Sequence, residues 1–286
     1  MEALLCLAFD NLSSYDGPKV RKGLRQVEGL LAQICLSDSD GRRESVEGSQ
    51  QQSPRKDLAR LSHDPAFREF FKLQEGFEWN VALRLIGTLD RLVAKGSDGQ
   101  NDILILSALD LVQGLLLLHP PSKSLFAREQ NMNLLLDLLE PFNCPAIQSA
   151  TLLTLVVALI DTPSNTRTFE ALDGLLTVTS LFKSRSTTRE VKLKLVEFLY
   201  CYLMPETPSI PRADQRDSVP AMMQRSPSKL AGAFAAQSKR KKTAGSGPVM
   251  TLTTEEKQGL LSRHLSSVED LVKDLRNSAP FGGVVS

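Results

Sequence analysis

Two stretches of this chain can be laid over each other with their turns in register. SALDLVQGLLLLHPPSKSLF (107–126) matches SATLLTLVVALIDTPSNTRTF (149–169). Ser107 and Ala108 pair with Ser149 and Ala150 at an offset of 42, as Pro121 and Ser122 do with Pro163 and Ser164. Phe126 pairs with Phe169 at 43. Leucines alone would align any two apolar helices, but here the turn residues align with them. A leucine-rich helix follows each Phe, NMNLLLDLLE in the first copy and ALDGLLTVTSLF in the second, and then another long apolar helix. A helical unit of about 40–47 residues is the armadillo/HEAT period. One such unit cannot bury its apolar face alone, so stacking must build the core. The expected fold is all-α: an armadillo/HEAT-like helical-repeat solenoid with two disordered loops and a C-terminal helix.

The strongest single helix signal closes the second copy. In TTREVKLKLVEFLYCYLMPE (187–206), Val191, Leu195, Phe198, Leu199 and Tyr202 form an apolar stripe at helical spacing. Leu193, Val196, Tyr200 and Leu203 extend it, and Pro205 and Pro208 end the helix. In an armadillo-type solenoid the corresponding long helix lines the concave face. Arg189, Lys192, Glu197 and Tyr200 are therefore the candidate partner-binding residues, against the plainer reading of a solvated edge on a buried helix.

Composition agrees with helices. Only 6% of the 286 residues are aromatic and leucine dominates the apolar set, which disfavours a β-sandwich. A net charge of +1 gives no global reason to expect nucleic acid. Cys6, Cys35, Cys144 and Cys201 form no CxxC pair and read as reduced, buried thiols. Glu2 and Asp10 stand where a signal peptide would carry basic residues. The longest apolar run, Leu152 to Ile160, is far short of the roughly 20 residues of a membrane span.

The remaining elements follow from stops and caps. A helix is expected from Met1 to about Asn11, and another from Pro18 with Val20, Leu24, Val27, Leu30, Leu31 and Ile34 inward. Residues 37–56 hold one apolar residue, Val46, and read as a disordered loop. Asp64-Pro65 opens a helix. The next is expected from Phe77 to Lys95, with Trp79 inside and Gly96 as the C′ glycine. Asp102 to Leu118 follows, stopped by Pro120 and Pro121. Residues 207–250 carry eight basic and two acidic side chains and read as a disordered basic linker. Thr253 and Glu256 then form a capping box for a helix through Leu275. That helix must return to the core or dock on a partner. Three regions result: an armadillo-like domain 1–206, the linker 207–250, and a C-terminal helix and tail 251–286 expected to dock back on the solenoid.

Catalytic signatures are missing. No phosphate-binding glycine loop, no H-E-x-x-H and no G-x-S-x-G occurs. No cysteine has an arginine six residues on, so the C-x5-R loop of cysteine phosphatases is absent. His63, His119 and His264 are not spaced with cysteine for zinc. His119, beside Pro120, reads as a capping or surface residue. No cofactor, metal or catalytic residue is expected, although a hydrolase with a dispersed site is the enzyme alternative. Three linear features remain. Ser53-Pro54-Arg55-Lys56 and Ser226-Pro227-Ser228-Lys229 have the pattern that cyclin-dependent kinases favour, making Ser53 and Ser226 candidate phosphosites. Lys239-Arg240-Lys241-Lys242 is a candidate nuclear import signal or a solubilising run of charge.

Two of these segments carry a resemblance. Ser186 to Glu206, with REVKLKLVEFLYCYLMPE, resembles the most characteristic segment of the fungal cell division control protein 14 family of the septation initiation network. SSVEDLVKDLRNSAPFGG (266–283) resembles that family's C-terminal signature. Phosphatases of similar name elsewhere need the C-x5-R loop and are a different group. The resemblance implies a non-catalytic scaffold that binds a Ste20-like (germinal-centre) protein kinase and controls cytokinesis and septum formation from the cytoplasm and the spindle pole body. The alternative is a nuclear adaptor or cargo-binding armadillo protein that uses KRKK for import, which implies a nuclear pool.

Overall fold

A computed structural model describes residues 1–36, 61–95, 99–206, 251–266 and 268–269. Every regular element among them is helical. They are α1 (Glu2–Leu12), α2 (Gly17–Cys35), α3 (Pro65–Glu75), α4 (Val81–Ala94), α5 (Asp102–Leu118), a 3₁₀ helix (Pro120–Ala127), α6 (Glu129–Asp137), α7 (Pro145–Leu159), α8 (Pro163–Ala171), α9 (Gly174–Lys183), α10 (Arg189–Leu203) and α11 (Thr254–Ser262).

The long helices lie side by side in the order α2, α5, α7, α10. The first helices of the two matched copies, α5 and α7, pack on each other, and α10 packs on α7 in turn. The short segments that follow α5 and α7, the 3₁₀ helix and α8, also pack together. Asn165 Nδ2 donates to the Lys123 carbonyl (2.8 Å) and the Ala158 carbonyl (2.7 Å), and Lys123 Nζ donates to the Ile160 carbonyl (3.0 Å). Phe126 and Phe169, the aromatic pair of the sequence match, are both buried.

Proline and polar caps decide most helix ends. The Asp64 carboxylate accepts from the Ala66 and Phe67 amides at the start of α3. The helix expected from Phe77 begins only at Val81. Asn80 caps it through the Leu83 amide (2.8 Å), and buried Gln74 accepts from the Val81 amide (2.8 Å). Trp79 therefore stands outside the helix, stacked on Phe9 with ring centroids 6.3 Å apart. Gly96 lies outside the described residues. ALDGLLTVTSLF is also two segments rather than one helix. Asp173 takes a left-handed backbone (φ 57°), and the Phe169 ring fills the space where Gly174 has no Cβ. Any Cβ there would lie 2.3 Å from that ring.

α11 carries the complete capping box of Thr253 and Glu256 and packs on α10. It ends at Ser262, turns follow, and residues 268–269 are helical again, so the expected helix is interrupted; the rest of the pattern through Leu275 lies outside the described residues. Leu261, Leu265 and Val268 are nevertheless buried in the core. Among the described residues, no single helix is long and apolar enough to cross a membrane.

Candidate functional site

The candidate site is the end of the layer, where α10 has a buried face, an outward face and a charged C-terminal end. Its start is pinned from outside. Thr187 Oγ1 donates to the Leu181 carbonyl (2.7 Å), and Thr188 Oγ1 accepts from the Val191 amide (3.4 Å). Val191, Leu195, Phe198, Leu199 and Tyr202 are all buried, with Phe198 tilted on Phe169 at 5.6 Å.

The outward face holds the four residues singled out in the sequence. Arg189, Leu193, Val196 and Tyr200 recur at helical spacing along one line, with Lys192 and Glu197 on its two sides. Arg189 and Glu197 are exposed, and Lys192 and Tyr200 are half-buried. Glu197 accepts from Lys194 Nζ at 2.8 Å. Leu193, expected to help cover the flank of the core, is instead 57% exposed between these polar groups. Neighbouring helices of the layer carry exposed Leu153 on α7 and exposed Ile103 and Leu117 on α5.

At the other end of α10 lies a polar cluster that no sequence pattern marked. Arg167 on α8 donates to Glu170 (3.0 Å) and to Glu206 (2.6 Å). Lys257 on α11 reaches the same Glu206 oxygen (3.1 Å) and the Met204 carbonyl (3.0 Å), and lies over the Tyr202 ring. The Tyr202 hydroxyl donates to Glu170 (2.7 Å). One backbone bond, from the Glu206 amide to the Leu252 carbonyl (3.1 Å), and the Leu252 amide donating to the Glu206 carboxylate (2.9 Å) finish the junction. Burial dominates the titration of this cluster. It holds the Lys257 ammonium below its ordinary pKa against the pull of Glu206. It raises Glu170 against its Tyr202 bond and Arg167, and it raises the Tyr202 phenol further beside Glu170. A cavity of about 140 Å³ adjoins the cluster, lined by Val156, Ile160, Phe198, Tyr202, Met204 and Lys257 among others. These ions are used in holding three helices together.

His119 is the capping residue at the end of α5, as expected, but it is not on the surface: it is buried, its Nδ1 bonds Ser122 Oγ (2.8 Å), and its ring meets Phe71 edge-on at 4.4 Å. Burial keeps its pKa below the usual histidine value. The thiols are not buried either, because Cys6 and Cys201 are exposed and Cys35 and Cys144 only partly covered. Most inward positions of those helices are taken by larger apolar side chains such as Leu5, Phe9, Ile34 and Phe198. Ser53, Ser226, Lys239, Arg240, Lys241 and Lys242 lie outside the described residues. Among the described residues, no three His, Cys, Asp or Glu side chains come together as a metal ion would need.

Comparison with known proteins supplies what geometry alone does not. A family model described as "Cell division control protein 14, SIN component" matches residues 1–281. The chain is 28% identical over 292 residues to the cell division control protein 14 of Schizosaccharomyces pombe, across 99% of this chain and 97% of that protein. No solved structure matches the chain.

Proposed function

The chain belongs to the Cell division control protein 14 family of SIN components, and from that premise we propose that it is a non-catalytic scaffold subunit binding a Ste20-like (germinal-centre) protein kinase. In this reading it acts in the cytoplasm and at the spindle pole body, where the septation initiation network triggers cytokinesis and septum formation. The observation that carries the reading is the outward face of α10. A leucine 57% exposed, with Arg189, Lys192, Glu197 and Tyr200 around it, has the makeup of an interface: an apolar anchor inside a polar rim. The same helix is fully packed behind, so the face is held rigid and little ordering is lost on binding.

The architecture that would present this face is an armadillo-like stack. Its support is the side-by-side order α5, α7, α10, whose helices start at residues 102, 145 and 189. The packing of the 3₁₀ helix on α8 at the sequence offset of the repeat supports it too. Phosphorylation of Ser53 and Ser226 would tie docking to the cell cycle by adding charge to the segments that bear them.

The test is capture of kinases from fungal extract by the full chain and by Leu193→Asp, read by mass spectrometry. The expected result is a Ste20-like kinase retained by the native chain and lost from a variant with an unchanged melting temperature. Recovery of no kinase overturns the reading, and equal recovery by the variant overturns the α10 face. Nuclear import receptors in place of a kinase would favour the adaptor alternative.

A further inference from the structure

Beside the first half of α2 the helices leave an open cleft of about 740 Å³. Arg21, Lys22 and Arg25 line one wall, and Lys95 and Asn101 at the α4–α5 junction line the other. No carboxylate is among its described lining residues. Arg21, Lys22 and Arg25 are exposed, and among the described residues they form no ion pair or side-chain hydrogen bond. Of the four lining cations only Lys95 is engaged, with the carbonyl and the ring of Tyr15, while Asn101 donates to the Leu92 carbonyl (3.2 Å). Glu28 and Asp110 line the adjoining stretch of groove with Arg21 and Arg25, yet no ion pair closes there.

Helix stability does not account for these cations. α2 has no acid in its first turn, and positive charge near a helix N-terminus opposes the macrodipole. Global charge does not account for them either, because the chain balances 34 basic residues with 33 acidic ones. Arg21 and Arg25, four residues apart, set two guanidinium forks on one face with Lys22 beside them. Such forks match the oxygens of a phosphate better than an isolated ammonium does. We propose that this cleft is a docking site for a serine- or threonine-phosphorylated segment of a partner protein. A flat bilayer does not fill a concave cleft, and one local cluster on a chain of net charge +1 lacks the extended field that nucleic acid requires. The cleft is formed by α2, α4 and α5, whereas the kinase-binding face proposed above centres on α10, so the two assignments stand or fall separately.

The test uses the full chain and a fluorescein-labelled peptide library with one fixed phosphoserine, read by fluorescence polarisation. The same library with serine at that position, phosphatidylserine-containing vesicles and a single-stranded oligonucleotide are run beside it. The phosphoserine library is expected to bind, more weakly as salt rises, and to lose roughly a hundredfold in affinity in the Arg21→Gln/Arg25→Gln chain. That chain is expected to keep its melting temperature, and Leu193→Asp is expected to bind the library like the native chain. Equal binding of the serine library, undiminished binding by the double variant, tighter binding of vesicles or oligonucleotide, or no saturable binding at all would each overturn the proposal.

Discussion

Two regions of this molecule concentrate charge, and they use it in opposite ways. At the junction of α8, α10 and α11, Arg167, Glu170, Glu206 and Lys257 are drawn together with Tyr202 in a largely buried network. At the cleft beside α2, Arg21, Lys22 and Arg25 are exposed and have no ionic partner among the described residues. Charge taken out of water must be matched within the fold, so every ion of the first region is committed to another. Charge left in water carries no such obligation, and its stability contribution is small whatever its partner. The first cluster is thus a structural latch between segments distant in sequence, and the second is free to meet a ligand.

Mutation separates the two roles most sharply at Glu206. Glu206→Ala leaves Arg167 and Lys257 without their shared partner, and unfolding stability is expected to fall by about 3–5 kcal/mol. Urea denaturation measures it. A loss as small as that of an exposed surface change, about 0.5 kcal/mol, would remove the distinction between latch and cleft.

A smaller effect is read through pH. The folded pKa of Glu170 is raised above its ordinary 4.5 by burial, so its contribution to stability is fully present below that value and declines as pH rises through the folded pKa. In Glu170→Gln that decline should vanish, and the unfolding midpoint should fall less, or rise, just above pH 4.5. Parallel pH profiles for the two chains would mean that solvent, not burial, sets this carboxylate. The smallest change belongs to the exposed pair on α10. Lys194→Ala removes its contact with Glu197 and should alter stability by only about 0.3 kcal/mol, measured by thermal unfolding. A loss of several times that size would show that the outward face is structural rather than free for a partner.

Much of the helical content was legible in the residues. Val20, Leu24, Val27, Leu30, Leu31 and Ile34 all turn inward on α2, and Val191, Leu195, Phe198, Leu199 and Tyr202 do so on α10. Periodicity reports which side of a helix is apolar, and that side is what packing buries. Start points were less legible where a side chain from another segment competes. Gln74 takes the Val81 amide and helps move the start of α4 past Trp79; only the Asn80 cap at that start is a local signal. Of the four α10 residues, Arg189 and Glu197 are exposed and Lys192 and Tyr200 half-buried, and their neighbour Leu193 gains its meaning only from being exposed there.

By itself the sequence determined that the chain is all-α, where most of its helices lie and which face of each is apolar, and it shows two stretches whose turn residues align. Those properties arise within one turn or one short unit of chain, where spacing and capping govern. Tertiary structure alone decided which charges from distant segments meet. Glu206 and Lys257 are separated by the stretch 207–250, yet they share an ion pair of 3.1 Å. His119 is buried against Phe71, although its neighbours Pro120 and Pro121 mark a helix end. The physical reason is the same in both cases: burial of a polar group depends on partners that only the packed fold brings within hydrogen-bonding reach.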